Sequence, residues 1–468
     1  MSVLFVLVPL LLVMILNACC KKTMSIVASW LAGLYFLYQA GICVFWKSVW
    51  PINNLILFNF DIDALSLLMM LSIAIVAFSS LCVGLSTITE SRKKFNFINL
   101  LLISVAGMNG VVMVRDLFSL YVFLEVTAVS SFILIALNKE IKDSLEGSFK
   151  YFVMSAIATV MMLSSIALLL MFAGDTSFES VRDAVQGTNN FYAVLAVGLF
   201  MGGLFIKGGL IPFHGWLPDA YSSAPAGVSV LLAGIVTKTT GIYTLIRVVS
   251  EIFGFNETIK SILLLLGIIS IFVGAFAALL QTDFKRMLAY SSISQVGYIV
   301  LALGTGTGLG IAGAIFHLFN HSIFKTQLFV NSAAVEKQTG TTEMGRYGGL
   351  SNSMPVTGWT SVIAFLSTAG IPPFSGFWSK LIIIVALWTA GYHTYAALAI
   401  LGSLITLAYF LYMQRRVFFG KSDKNSGIKE ASIGLLIPAI ILALITIGVG
   451  VFFPYLVDTI IVPISSIF

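Results

Sequence analysis

Fourteen apolar runs of spanning length follow one another, at 3–18, 24–46, 64–88, 97–114, 116–137, 150–173, 191–212, 225–247, 260–280, 287–303, 309–334, 355–390, 394–414 and 432–457. A helix needs about 20 apolar residues to cross the hydrocarbon core. The pattern predicts an all-α polytopic membrane protein of about fourteen transmembrane helices. The run at 355–390 exceeds one crossing, and Gly370-Ile371-Pro372-Pro373 within it predicts two half-helices. Charged residues make up 10% of the 468 positions, against about 25% in soluble domains. One integral bundle with no sizeable soluble domain is therefore expected.

Charge placement orders the spans. Loops after odd-numbered spans hold seventeen lysines and arginines; loops after even-numbered spans hold five, Lys47, Arg115, Arg182, Arg247 and Lys260. The positive-inside rule puts the first set in the cytoplasm and both termini outside. The net charge of +6 follows from this bias and calls for no nucleic acid. Asp283, Lys285 and Arg286 read as ordinary anchoring on the cytoplasmic side. Leu16–Cys19 faintly resembles a lipoprotein cleavage site, but Lys21 and Lys22 follow the apolar run instead of preceding it, so an uncleaved first span is expected.

Four of the 26 lysines and arginines fall inside spans: Lys207, Lys238, Lys325 and Lys380. Of the 20 acidic residues only Glu125 lies deep in one. Each such charge costs about 2.5–3.5 kcal/mol on insertion scales, so the five together cost about 12–18 kcal/mol. That rivals the net stability of a folded protein, about 5–15 kcal/mol. Packing does not account for such an expense. One carboxylate cannot neutralise four cations, so some of these lysines are neutral at any moment. Burial disfavours a charged lysine and a neighbouring carboxylate favours it, so lysines held between the two influences can pass protons.

Around Lys207 the helix is broken by Gly208, Gly209 and Pro212. Freed backbone groups at membrane depth are tolerated only where they are buried in protein or line a cavity. A discontinuous helix carrying a charge points to an ion pathway. Pro212-Phe213-His214-Gly215-Trp216 in span 7 matches Pro373-Phe374-Ser375-Gly376-Phe377 in span 12, and each motif has a lysine nearby. Spans five apart run in opposite directions, which predicts two inverted five-helix repeats. The expected division is 1–96 for spans 1–3, 97–250 for the first repeat, 258–420 for the second, and 430–468 for the last helix.

His317, His321 and Lys325 share one face of span 11. A polar relay toward Lys325, helix-to-helix hydrogen bonding and a metal site are the readings of the histidines; the last lacks a third ligand. His214 and Asp219 follow the first break and belong either to its cytoplasmic mouth or to the loop's structure. His393 reads as a solvated turn residue, and Tyr121, Tyr290 and Tyr298 as packing. Cys19, Cys20, Cys43 and Cys82 form no CxxC pair, so iron–sulfur or zinc ligation is not expected. The Gly304–Gly310 run lacks the strand and helix of a phosphate loop. No cofactor and no metal are expected.

These motifs resemble a family. The run Lys207-x4-Pro212-Phe213-His214-x-Trp216-Leu217-Pro218-Asp219-Ala220 is similar to the antiporter-like subunits of respiratory complex I, of Mrp cation/proton antiporters and of energy-converting membrane hydrogenases. So are Leu124-Glu125, Lys238-x4-Tyr243-x3-Arg247, and Gln281-x-Asp283-x-Lys285-Arg286-x-Leu288-Ala289-Tyr290-Ser291-Ser292. His321-x3-Lys325 and Gly370-Ile371-Pro372-Pro373-x2-Gly376-Phe377-x2-Lys380 complete the match over roughly residues 60–420. The resemblance implies a proton-translocating subunit in which Glu125 and Lys207 gate one half-channel. Lys238 would pass the proton to the axis at His317, His321 and Lys325, and Lys380 would exchange it with the outer side. One member type has glutamate where this chain has Lys380, and another ends in a long amphipathic arm that this sequence lacks.

The reading favoured from sequence is a non-redox, ion-pumping subunit of a redox-driven complex in a prokaryotic inner membrane. Its expected partners are other membrane subunits, a hydrophilic redox module, lipid, and protons with sodium as a further candidate. The alternative is a subunit of an Mrp-type sodium/proton antiporter with no redox partner. A scaffold that has lost transport is disfavoured because all five membrane charges are present.

Overall fold

The computed structural model describes residues 3–18, 24–45, 60–186, 188, 190–420 and 427–457. Cys19, Cys20, Lys21, Lys22, Lys47, Lys421 and Lys424 lie outside them. The described residues are helical, with three isolated β-bridges. In order the helices are α1 (Leu4–Ala18), α2 (Met24–Phe45), α3 (Ala64–Thr87), α4 (Ser91–Met113), α5 (Leu117–Ile135), α6 (Lys142–Ala173), α7 (Phe178–Val185), α8 (Phe191–Gly208) and α9 (Trp216–Ser223). Then come α10 (Ala226–Phe253), α11 (Glu257–Leu279), α12 (Phe284–Leu303), α13 (Gly308–Thr339), α14 (Pro355–Ala369), α15 (Ser375–Thr389), α16 (His393–Gln414) and α17 (Ile433–Val451). Ten of the described helices are long and apolar enough to cross a membrane. Apolar helices of this kind make the chain an integral membrane protein.

Short polar residues set the helix starts. Asp63, Asp116, Asn256, Asp283 and Thr307 each accept an N–H from the first turn of α3, α5, α11, α12 and α13, satisfying a donor that a helix end leaves orphaned. Glycines end α6, α8 and α14: Gly174, Gly209 and Gly370 take φ of 79°, 66° and 85°, a region costly for any residue with a Cβ.

Two helices form the centre. Every residue of the apolar window in α10 is buried, and α13 is buried from Gly310 to Val335. They pack on each other, and α3, α8, α12, α14, α15 and α17 surround them. By contrast α2, α6, α11 and α16 turn large apolar side chains outward, such as Trp30, Val160, Leu265 and Leu404. The helices bearing Lys238 and Lys325 therefore lie inside a shell that meets lipid or neighbouring subunits, while those bearing Lys207 and Lys380 reach its surface, at Val194 and Trp388 among others.

The first break runs from Gly209 to Gly215 and the second from Gly370 to Phe374. Each holds a cis peptide before proline, Ile211–Pro212 and Pro372–Pro373. Gly208, counted from sequence in the first break, is still the last residue of α8, and Gly376, in the motif beside the second, is already helical in α15.

Two expectations need correction. The span expected at 225–247 continues to Phe253, with widened π-helical turns at Leu232–Val236, Lys238–Tyr243 and Val249–Phe253. Arg247, assigned to an outer loop, is consequently a buried helix residue. It sits there because Asp63 and Glu251 neutralise it, with Nη1 2.6 Å from Asp63 Oδ2 and a contact to Glu251 Oε1. Glu251 thus lies in the last turns of the same span-length helix. Lys285 is also more than a surface anchor: it is buried and lies 2.7 Å from Glu336 Oε2.

Candidate functional site

Lys207 is the penultimate residue of α8, where Gly209 stops the helix. Its Nζ lies 3.0 Å from Glu125 Oε1 on α5, and it also reaches Ser155 Oγ on α6 at 3.4 Å. Thr159, one turn after Ser155, donates to the same Glu125 oxygen at 2.6 Å. Lys207 is 5% exposed at the side chain and Glu125 26%. The exposed flank of Glu125 opens onto a surface groove of about 490 Å³ between α4 and α5, lined by Leu100, Ile103, Tyr121, Val122 and Val126.

From this pair the contacts lead inward. Gly208 meets Gly241 of α10 so closely that a Cβ at 241 would stand 2.3 Å from Gly208 Cα. Lys238 is one turn from Gly241 and fully buried; its Nζ reaches Thr237 Oγ1 at 3.3 Å and lies 5.9 Å from the Tyr221 ring centre. The α10 helix passes α13 at Gly234, where a Cβ would meet Thr326 Oγ1 at 2.3 Å. Next to Thr326, Lys325 donates to Ser291 Oγ and, at 3.4 Å, to Leu288 O on α12.

His321 and His317 stack one turn apart, with ring centres 6.3 Å apart and planes 4° apart. His317 Nδ1 lies 2.8 Å from Ser379 Oγ on α15. Both ring nitrogens of His321 and Nε2 of His317 are buried and have no hydrogen-bond partner among the described residues. Lys380 follows Ser379. Its Nζ is 3.5 Å from Ala369 O, the last carbonyl of α14, and 4.5 Å from the centre of the Tyr298 ring. A groove of about 200 Å³ at Gly370, Phe377, Leu381 and Leu404 reaches Lys380.

The structure thus brings Glu125 and Lys207 into contact, and draws His317, His321 and Lys325 along one face of α13 toward Lys380. Glu125 and Lys380 border surface grooves, while Lys238, Lys325 and the two histidines are enclosed. Among the described residues no carboxylate pairs with Lys238, Lys325 or Lys380, which instead meet hydroxyls, carbonyls and ring faces. Groups of this kind accept an ammonium without fixing its charge, an arrangement suited to handing protons along. The lysines stand on opposite sides of their breaks: Lys207 before Gly209, Lys380 after Phe374.

Sequence reasoning missed the hydroxyls. Ser155 and Thr159 are four apart on α6 and meet the Glu125–Lys207 pair; Ser291 and Ser379 meet Lys325 and His317. A serine or threonine on the inner face of an otherwise apolar span was the available signal. Asp219, left open as mouth or loop, lies 2.6 Å from Lys150 Nζ and 2.5 Å from Arg286 Nη1. His214 packs beside Tyr290, with ring centres 6.4 Å apart. His393 is exposed at the start of α16 against Trp388.

Comparison with known proteins identifies the family. The transmembrane family described as NADH:quinone oxidoreductase/Mrp antiporter matches residues 114–406. The chain is 35% identical over 439 residues to a Na(+)/H(+) antiporter subunit of Alkalihalophilus pseudofirmus, covering 91% of this chain and 87% of that protein. It is similar to a chain in the structure of the Mrp complex from a Dietzia species, with a TM-score of 0.90, 24% identity and coverage of 98% and 96%, a likeness of fold. It is also similar to a chain of the membrane-bound sulfane sulfur reductase, an archaeal respiratory membrane complex, with a TM-score of 0.90, 28% identity and coverage of 99% and 97%.

Proposed function

The chain belongs to the NADH:quinone oxidoreductase/Mrp antiporter transmembrane family, and from that premise we propose that it is a proton-carrying membrane subunit of an Mrp-type sodium/proton antiporter complex. This reverses the order of the two readings drawn from sequence, in which a redox-driven complex came first. The likeness to the Alkalihalophilus antiporter protein, which extends over nearly the whole of both chains, carries the reversal. A redox module is accordingly not among the partners proposed; other membrane subunits of the complex are.

In this reading the Glu125–Lys207 pair is a two-state gate. Paired, the proton stays on Lys207 beside its counter-charge. Separated, the ammonium faces an apolar interior with hydroxyls alone, and the proton moves on to Lys238. His321, His317 and Lys325 carry it along α13, and Lys380 exchanges it at the far groove. A neighbouring subunit or a bound sodium ion can bias such an equilibrium only by holding one state better than the other. The proposed frame is fourteen crossings, with α14 and α15 counted as one. Two inverted repeats lie at 97–250 and 258–420, the cation-rich loops face the cytoplasm of a prokaryote, and both termini are outside.

A redox-driven complex is the second reading, favoured by the 28% identity to a chain of the archaeal respiratory complex. Inverted membrane vesicles holding the complete complex separate the two. The antiporter reading expects sodium addition to collapse an imposed pH gradient with no electron donor present. Proton movement that requires an electron donor and ignores sodium would establish the redox reading instead.

A further inference from the structure

At one end of the bundle, Asp219 of α9 holds a cation from each of two helices: Lys150 of α6 at 2.6 Å and Arg286 of α12 at 2.5 Å. Those two helices supply the contacts of two separate buried lysines. Five and nine residues beyond Lys150, α6 presents Ser155 to Lys207 and Thr159 to Glu125. Two and five residues beyond Arg286, α12 presents Leu288 O and Ser291 Oγ to Lys325. The short helix α9 is itself clamped to α6. Tyr151 packs on Trp216 with centres 4.7 Å apart, Ser144 donates to Ser223 O at 3.2 Å, and a Cβ on Gly147 would meet Asp219 O at 2.9 Å.

We propose that Asp219 is a positioning residue that couples the two lysine sites, by tying α6, whose hydroxyls contact the Glu125–Lys207 pair, to α12, whose Leu288 O and Ser291 Oγ contact Lys325. It touches neither site. Its carboxylate fixes how α6 sits against α12, so a shift of α6 that opens the pair is felt at Ser291. Without the carboxylate, Lys150 and Arg286 face each other as like charges and repel, and the two helices lose their common anchor. The other titratable groups around this mouth include Glu146 and Tyr151 on α6, His214 in the break, Tyr290 on α12, and Lys285 on α12, which pairs with Glu336 and donates to Ala224 O just after α9. Of these Glu146, 2.6 Å from Lys150, offsets part of the charge. Burial pushes the Asp219 carboxyl up, but Lys150 and Arg286 outweigh it and hold it below its ordinary value. The bridge therefore stays charged at neutral pH.

This inference rests on the proton-carrying reading, and the test is built to separate the two. The complete complex carrying Asp219→Asn, Asp219→Glu or Glu125→Gln is assayed for sodium-driven collapse of a pH gradient across pH 6–9 in inverted vesicles, with assembly followed in parallel. Asp219→Asn should assemble, exchange about tenfold more slowly, and reach half-maximal rate at lower pH, because the net positive charge left at the mouth by Arg286 and the Glu146-paired Lys150 opposes protonation behind it. Asp219→Glu, which keeps the charge, should restore most of the rate and the wild-type pH profile. Wild-type rate and profile in Asp219→Asn overturn the proposal, as does an equal loss in both Asp219 variants with an unmoved profile. If Asp219→Asn fails to assemble, Lys150→Gln and Arg286→Gln carry the test. Each should slow exchange and move the profile, and wild-type behaviour in both overturns the proposal. Loss in Glu125→Gln without loss in Asp219→Asn confines the failure to Asp219; wild-type exchange in Glu125→Gln removes the reading on which it rests.

Discussion

Arg247 lies buried inside α10, six residues before that helix ends at Phe253. It makes a two-pronged bond to Asp63, Nη1 to Oδ2 at 2.6 Å and Nη2 to Oδ1 at 2.9 Å, and it also meets Glu251 and Tyr243. Removing one partner of a buried ion pair leaves an uncompensated charge and costs about 3–5 kcal/mol. Arg247→Met should therefore lower the melting temperature and abundance of the assembled complex. Arg247→Lys should recover part of the loss, since a lysine keeps the charge but not the planar fork. Burial alone would raise the Asp63 carboxyl, but the bonds and charges of Arg247 and Arg115 and the Ser66 N–H hold it well below the carboxylate range. A carboxyl lowered on folding contributes stability above its unfolded value, about 3.9, and loses it only as pH falls further. The Arg247→Met deficit should accordingly be equal at pH 5.5 and pH 8, and a deficit that closes at pH 5.5 contradicts this. At this scale Glu125 and the four buried lysines were legible because an ionised group stands out in an apolar run. Asp63, Thr159 and Ser291 were not, since a short polar residue at a helix end or inside a span has ordinary uses and its partner lies far away in sequence.

At the scale of elements, α10 holds the clearest lesson. Its run is apolar apart from Lys238 and the short hydroxyl residues near it, such as Thr237, Thr239 and Thr240, and nothing in that pattern separates α-helical turns from the π-helical ones it contains; tertiary packing on every side decides them. The breaks in α8–α9 and α14–α15 were legible for the opposite reason, because a glycine followed within three residues by proline, which lacks the N–H and clashes with the preceding turn, strongly disfavours a continuous helix. Their exact extent was not, and Gly376 belongs to α15. Close approach of α8 and α10 depends on Gly208 facing Gly241, where an added Cβ would stand 2.4 Å from Gly208 N. Gly241→Ala must push the two backbones apart, an overpacking that costs about 1–3 kcal/mol. The expected outcome is a lower melting temperature together with slower exchange, because Lys207 and Lys238 ride on the displaced helices. A variant as stable and as active as the wild type would show that this contact is not what sets their separation.

For the whole molecule, the all-helical membrane character followed from the apolar runs and the family from the motif set. The choice between antiporter and redox complex did not, because the motifs quoted from the sequence resemble the subunits of both kinds of complex alike. Orientation is a property of the whole chain and rests on the loop charges. In a cysteine-free background, Thr89→Cys on the α3–α4 connection should label from the cytoplasm alone and Glu179→Cys in α7 from outside alone; the reverse pattern would invert the proposed topology. The central claim is that protons travel through this chain by way of the Glu125–Lys207 pair, and vesicles holding complexes with Glu125→Gln or Lys207→Ala test it most directly. Glu125→Gln removes the counter-charge at almost constant volume and Lys207→Ala removes the carrier, while the apolar frame that directs assembly is untouched in both. The account predicts that both variants assemble at wild-type levels and lose sodium-driven proton exchange; assembled variants that exchange at wild-type rates would contradict it.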